Sequence, residues 1–568
     1  MQKIQNIRHS FAHILALSVK ELYPDAQFGT GPDVENGFYY DVRTKIPIIK
    51  EDLKRIEKKM KEVLRRTLVF KKKIVSKVEA KKIFKDQPFK LEIIKGLEED
   101  KVSIYETGNF IDLCKGPHVD SVKELNPGAF MLEKIAGAYF QGDEKNPMLT
   151  RIYGLAFKTE KELSDYLKLK EEAEKRDHRV LGEKLGIFMS DDEVGSGLPL
   201  WLPKGAILRN IIKDYLYQEL IKDGYGFVET PHIGKLSLWQ TSGHWENYRE
   251  NIYSPIDIEG EKFVLKPMNC PFHVKIFKSK QRSYRELPLK MAEFGTVYRF
   301  ERSGTLHGLT RVRGFTQDDA HIWCRTDQLK GELTKLLKQG LKILKKFGFK
   351  EYNIYLSTRP EKHAGTEQGW KKATTTLTEV LKEAKLDYGV DPGGGVFYGP
   401  KIDIKVKDTL GREWQCTTIQ VDFNLPDRFQ MFFINEKGEK ERPYMIHRAL
   451  YGSLERFIGV LIEHYAGAFP FWLSPVQIKI LPISDKFNKY AKEIKEGLED
   501  YRVEVADEKE TISKKIREGE MEKIPYLLII GEREKKNKTV SVRKRGKGDL
   551  GEMKMEKFKE IIKINKNI

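Results

Sequence analysis

The sequence predicts an α+β protein of several domains, in which a large, mostly antiparallel sheet separates an amino-terminal α+β region from a carboxyl-terminal α/β domain. Three observations lead there. At 568 residues the chain exceeds what one hydrophobic core organises, so about three or four domains are expected. Between Phe263 and His464 the runs FVLKPM, LKMAEF, AHIWC, YNIYLS, KIDIKVKD, EWQCTTIQVDF and YMIHRAL read as strands around a few helices. From Val476 onward VQIKILPI, YRVEVAD and YLLIIG alternate with helical stretches as β, α, β, α, β.

Taken in order, residues 1–150 mix helical patterns with short strands, and Glu160–Gly186, rich in Glu, Lys and Leu, reads as one long amphipathic helix. The stretch SDDEVGSGLPLWLPKG then has the composition of a turn-rich connection, placing a boundary near Gly186–Gly195. From Gly205 a helix, AILRNIIKDYLYQELIKDG, runs to a glycine stop, and YGFVETPHI follows as a strand whose Pro231 belongs at an edge or bulge. The expected domains are 1–155, a helical linker over 156–195, 196–472 and 473–568.

Composition excludes two classes. The cysteines Cys114, Cys270, Cys324 and Cys416 are far apart among apolar or His-containing stretches, which argues against a secreted disulfide scaffold and for a reducing cytoplasm. The apolar run at the amino terminus is broken by His9, His13 and Lys20, and no other run is long and apolar enough to cross a membrane. The formal net charge of +18 suits a polyanionic partner, although a lysine-rich background produces the same balance.

The chemistry concentrates in Tyr298–Ala320, YRFERSGTLHGLTRVRGFTQDDA. It sets Arg299, Arg302, Arg311 and Arg313, three glycines and the pair Asp318–Asp319 between two strand-like runs. The arginine fork binds phosphate oxygens bidentately and stays charged, so Arg299, Arg311 and Arg313 in a β-ribbon suit an oriented polyanion; the bland alternative is a solvated charged hairpin. Before it comes the helix and strand ending at Pro231, and after it GSLERFIGVL with Arg456 in a glycine-flanked helical stretch. In this order the three pieces resemble the three motifs of class II aminoacyl-tRNA synthetases. KPMNCPFH, RVRGFTQDDAHIW, YGPKID, WQCTTIQVDF and HRALYGSLERFIGVL narrow the resemblance to the threonyl-tRNA synthetase family, over essentially the whole chain.

The resemblance implies a class II antiparallel core that activates L-threonine with ATP and transfers it to tRNA(Thr). In that scheme Arg299 holds the α-phosphate, Glu301 contacts the adenine, Phe315 stacks on it, Arg456 holds the γ-phosphate and Arg311 supports the phosphates, with Mg²⁺ accompanying the ATP. Gln317, Lys401 and Gln420 are further cleft contacts. Cys270, His321 and His447 match zinc ligands of the family; their spacing alone does not suggest it, and without the resemblance a buried Cys and two satisfied core histidines would be favoured. Three protein ligands leave a position for threonine's amino and hydroxyl groups, where isosteric valine offers only a methyl group. Unsatisfied polar sites reject analogues by about 10⁴–10⁵. Asp319 would pair with the substrate ammonium, Tyr398 and Gln415 would line the pocket, and His244 in SGHWENY would assist transfer to the ribose, its alternative being a helix-surface histidine.

Serine keeps the hydroxyl and is smaller, so a metal that reads the hydroxyl excludes it poorly and proofreading is required. His9 and His13, four apart, share a helix face, while Asp112, Cys114 and His118 fall in NFIDLCKGPHV. By spacing this is a metal site, a hydrolytic pocket or a set of structural histidines. The pair of motifs, with YFQGDEKNPMLTRIYG after it, resembles the editing domain shared by threonyl- and alanyl-tRNA synthetases. That implies hydrolysis of Ser-tRNA(Thr) in a metal-free pocket, although the alanyl domain is associated with zinc. Many bacterial members carry a ubiquitin-like domain ahead of it, which this chain is expected to lack. Val476–Ile568 resembles the class IIa anticodon-binding domain, with Glu534, Arg543 and Arg545 as base readers and Lys523 and Lys547 at phosphates; a solvated basic face is the plain alternative. The motif 1 helix and Pro231 imply a homodimer. A catalytically inactive regulator would have lost the motif arginines or the zinc ligands, and a prolyl enzyme would not carry this amino-terminal cluster.

Overall fold

The computed structural model describes residues 2–408 and 411–566. The chain forms two compact units, Met1–Glu171 and Glu172–Ile568.

The first unit is built on the helix Gln2–Leu22, whose residues Phe11, Ile14, Leu15 and Val19 recur at helical spacing and are fully buried. They pack on an antiparallel sheet in which Gly37–Arg43 and Phe130–Tyr139 flank Met148–Ala156. Phe11 stacks on Phe38 and lies 5.0 Å from the Phe130 ring. A second sheet, Lys71–Ser76, Lys101–Thr107 and Phe110–Leu113, carries the NFIDLCKGPHV segment out of its last strand. The single long helix expected over Glu160–Gly186 is two, Glu160–Arg176 and His178–Lys184. Asp177 breaks it: its backbone is non-helical, and its carboxylate caps the second helix by accepting the Arg179 N–H at 2.8 Å.

In the second unit an eight-stranded sheet has the spatial order Gly226–Phe227, Leu289–Tyr298, Gly314–Cys324, Tyr444–Ser453, Glu413–Asp422, Lys401–Lys407, Tyr352–Ser357, Gly389–Asp391. The six inner strands are mutually antiparallel, and only the two short edge strands pair in parallel. The helix Leu454–Tyr465 is buried along nearly its whole length, Glu455 and Glu463 included. The expected strand YGFVETPHI shrinks to Gly226–Phe227, and Pro231, with no N–H for a ladder, lies beyond it. The arginine segment is a loop rather than a ribbon. The flanking strands pair from Leu289↔Trp323 to Tyr298↔Gly314, and residues 299–313 leave the sheet.

The carboxyl-terminal sheet shows the expected β-α-β-α-β order, with Val503–Val505, Ile478–Pro482 and Tyr526–Ile530 parallel. Two antiparallel strands, Thr539–Lys544 and Gly548–Lys554, and the helix Met555–Lys566 extend it. It belongs to the same unit as the large sheet. Glu522 accepts Lys204 at 2.7 Å and Lys479 at 2.9 Å, and Arg502 donates to the carbonyls of Trp472 and Ser474.

Candidate active sites

Strand alternation puts Phe315, Gln317, Asp319 and His321 on one face of Gly314–Cys324. Register then lays a row across four strands, His321 opposite His447, His447 opposite Gln420 and Gln420 opposite Lys401. A bulge between Gln317 and Asp319 is held by Asp318, whose carboxylate accepts the N–H groups of Leu450, Tyr451 and Gly452 at 2.7, 3.0 and 2.9 Å. A cavity of about 360 Å³ opens here, lined by Cys270, Arg299, Phe315, Gln317, Asp319, Tyr398, Lys401, Gln415, Gln420, His447 and Arg456 among others. Eleven residues singled out from the sequence thus meet in one cleft. His321 lies fully buried beside it, whereas Glu301, Arg311 and His244 are outside its lining.

The Cys270, His321 and His447 donor atoms all lie within 4.8 Å of one another. Proton accounting shows what they fit. Asp422 is an acceptor, taking the N–H groups of Asn424 and Leu425 on one oxygen and His447 Nε2 at 2.9 Å on the other. His447 Nε2 therefore carries the proton and Nδ1 the lone pair. Glu293 likewise accepts His273 Nε2 at 3.0 Å, so His273 Nδ1 accepts from His321 Nδ1 at 2.8 Å, and His321 Nε2 is left with its lone pair. These two lone pairs face each other at 3.0 Å next to the Cys270 sulfur. A cation reconciles two acceptors at that distance, and a soft sulfur with two imidazoles is a zinc donor set. Although burial alone would raise it, Glu293 is held below the usual carboxylate range by His273 and Lys266; burial pushes the Cys270 thiol up and His321 well down, keeping the imidazole neutral. His273 and Glu293 were not singled out from the sequence. His273 follows Cys270 by one helical turn in CPFH, which was the available signal.

The anion-binding side is equally built. The Arg299 guanidinium lies over the Tyr248 and Phe315 rings, at 5.6 and 5.1 Å. Arg456 sits in the first turn of its helix, capped by Ser453, and donates Nε to the Thr310 carbonyl at 3.1 Å. Burial lowers its pKa, and Arg299 and Arg311 push the same way, so this cluster is relieved by a polyanion. Arg311 brings Nε and Nη2 to one Glu301 carboxylate oxygen, Oε2, at 3.0 and 2.9 Å, and Arg313 donates to the Glu301 carbonyl. Lys401 and Gln415 share Asp403 at 2.6 and 2.7 Å, Gln420 donates to the Gly399 carbonyl, and Asp319 accepts from Asn269 at 3.1 Å.

His244 is fully buried, not on a helix surface. The Ser242 hydroxyl donates to the Trp239 carbonyl and so accepts from His244 Nδ1 at 2.7 Å, leaving Nε2 with a lone pair and no partner among the described residues. Burial, with His447, Arg299 and Arg428 nearby, pushes its pKa down to about 3.

In the first unit His9 Nε2 and His118 Nε2 each lie 3.3 Å from the Cys114 sulfur, which also accepts the Gly116 N–H. Ser10 donates to the Asn6 carbonyl and accepts from His118 Nδ1, so His118 presents its Nε2 lone pair to the thiol. His13 Nε2 lies 3.2 Å from an Asp112 carboxylate oxygen, and the same carboxylate takes Tyr40 at 2.5 Å and a buried ion pair from Lys90. Lys90 and Tyr40 were missed by the sequence reading; Lys90 is a lone cation on the apolar face of PFKLEIIKG. Burial holds His9, His13 and His118 below the ordinary histidine value and pushes the Cys114 thiol up to about 12. The cluster is thus a set of neutral imidazoles around a neutral thiol, able to orient a water and accept its proton.

In the carboxyl-terminal domain Glu534 caps its own helix at Gly531 N–H and accepts from Ser541, while Arg543 pairs with Glu520 at 3.3 Å. Arg545 is turned to the Lys523 and Phe469 carbonyls, and Lys547 is exposed.

An antiparallel sheet with an arginine loop, and a helix bringing a further arginine to the same cleft, defines a class II aminoacyl-tRNA synthetase. Residues 253–465 match the tRNA synthetase class II core domain (G, H, P, S and T), 477–565 an anticodon binding domain, and 102–153 the threonyl and alanyl tRNA synthetase second additional domain. The chain is 52% identical to a threonine–tRNA ligase of Sulfurihydrogenibium sp. over 100% of its own length and 90% of that protein's. It is 50% identical to the one of Aquifex aeolicus over 99% and 89%. A crystal structure described as the RNA binding domain of threonyl-tRNA synthetase from Cryptosporidium parvum superposes with TM-score 0.66 at 42% identity, covering 68% of this chain and 98% of that one. A prolyl-tRNA synthetase from the same organism shares the fold at 18% identity, 68% and 74% coverage and TM-score 0.53. The chain belongs to the threonine–tRNA ligase family.

Proposed function

We propose that the cleft forms threonyl-adenylate and charges tRNA(Thr), with a resident Zn²⁺ on Cys270, His321 and His447, and that the amino-terminal cluster hydrolyses Ser-tRNA(Thr). The observation that carries it is the pair of opposed imidazole lone pairs beside a cysteine sulfur in a cleft lined by Arg299 and Arg456. The metal, when bound, supplies Lewis-acid coordination for a β-hydroxylated amine. Arg299 and Arg456 stabilise the phosphates of the ATP that enters with Mg²⁺, with Glu301 and Arg311 at its adenine and phosphate ends. Phe315 stacks on the adenine, Asp319 receives the amino acid ammonium, and Gln317, Tyr398, Lys401, Gln415 and Gln420 complete the pocket. His244 accepts a proton as the ribose hydroxyl attacks. In the editing cluster His9, His13, Asp112, Cys114 and His118 orient the water, and Glu534 and Arg543 read the anticodon loop.

The corresponding domains are 1–155, 156–195, 196–472 and 473–568. A cytoplasmic homodimer accords with four free cysteines and with exposed Ile207, Tyr217 and Ile221 on the helix Pro203–Lys222. Among the described residues no helix is long and apolar enough to cross a membrane. ATP–pyrophosphate exchange with threonine, valine, serine and proline tests the reading: threonine strongly, serine weakly and the others negligibly. Exchange driven equally by valine would refute it.

A further inference from the structure

His178 lies outside the cleft lining and is fully buried. Its ring bonds two elements of the ATP site. Nε2 receives the Leu309 N–H at 3.0 Å, and because an amide only donates, Nε2 is the acceptor and Nδ1 carries the proton, given to Glu463 at 2.6 Å. Glu463 stands two turns beyond Arg456 on the helix Leu454–Tyr465. Leu309 belongs to the 299–313 loop, and the next residue, Thr310, accepts Arg456 Nε. The ring is also wedged in place. A Cβ at Gly308, where φ is +46°, would come within 2.2 Å of Nε2, and one at Gly459 would lie 3.5 Å from the ring. Asp177, His178 and Glu463 group as metal ligands do, but both ring nitrogens are taken, by an amide and a carboxylate.

We propose that His178 is a positioning residue for ATP, clamping the loop that carries Glu301, Arg311 and Arg313 to the helix that carries Arg456. The inference rests on the ATP-site reading above. If the loop drifts, the arginines converging on one triphosphate lose their spacing, and affinity for ATP falls while the amino acid pocket, on the other side of the cleft, is untouched.

Two near-isosteric substitutions separate the bonds. In H178N the amide nitrogen replaces Nδ1 and keeps Glu463, but nothing reaches Leu309. In H178Q the amide oxygen replaces Nε2 and keeps Leu309. Measured by equilibrium dialysis with ATP on the full chain, H178N is expected to weaken ATP binding about tenfold, the worth of one buried hydrogen bond, and H178Q less than threefold. Zinc content and KM for threonine stay within twofold in both. ATP affinity unchanged in a folded H178N, or equal losses for ATP and threonine in the two variants, would overturn the proposal. ATP binding is read without turnover, so a chain inactive with threonine would undo the ligase reading and still leave this test decisive.

Discussion

His321 Nε2 and His447 Nδ1 face each other at 3.0 Å, each with its other nitrogen committed to an outer partner. The outer partners, His273 on Glu293 and Asp422, set the tautomers and aim both lone pairs at one point. H273L removes one of them. Zinc affinity, measured by competition with a chelator, should fall about 10- to 100-fold while the fold is retained. Unchanged affinity would mean that His273 does not orient His321.

On the proposed reading Arg456 contributes charge at the phosphates in addition to its Nε hydrogen bond to the carbonyl of the buried Thr310 at 3.1 Å. R456A should reduce threonine-dependent ATP–pyrophosphate exchange by about 10²–10³, the usual cost of one preorganised donor, with zinc content intact. A loss below threefold would remove it from the phosphate site.

His9 is half-buried in the proposed editing cluster, 3.3 Å from Cys114, which is half-buried too. H9A should let Ser-tRNA(Thr) accumulate without slowing threonine activation. An unchanged seryl-tRNA deacylation rate would count against the assignment.

The same histidines make the first unit acid-sensitive. Burial lowers the pKa of His9, His13 and His118 in the fold, so below the unfolded value near 6.5 the unfolded chain binds more protons and stability falls as pH falls. The loss reaches at most about 4 kcal/mol per pH unit for three sites at about 1.4 each. Scanning calorimetry of the full chain at pH 8, 7, 6 and 5 should show a transition moving down in acid but not between 8 and 7. A transition flat to pH 5 would contradict the buried neutral cluster.

Legibility differed by the kind of signal. The β-α-β-α-β order after Val476 and the spacing of His9 and His13 were readable because local geometry maps directly onto sequence, whereas the shared face of Phe315, Gln317, Asp319 and His321 appears only with the strand Gly314–Cys324. The row His321, His447, Gln420 and Lys401 depends on register between strands far apart in the chain, and only resemblance supplied it. Asp177, an ordinary polar residue inside a helical pattern, proved to be a cap, and Lys90 and Glu293 are buried with no local sign of it in the sequence. Burial and partner decide such residues, and both are tertiary properties. His178 sat in a lysine-rich helical run with no local sign that its ring reaches Leu309.

The metal content of the purified chain and of C270S, measured beside threonine-dependent ATP–pyrophosphate exchange, tests the central claim most directly. One zinc per chain, lost together with exchange in C270S, is predicted. Full zinc in an inactive C270S, or undiminished exchange in a zinc-free variant, would contradict it.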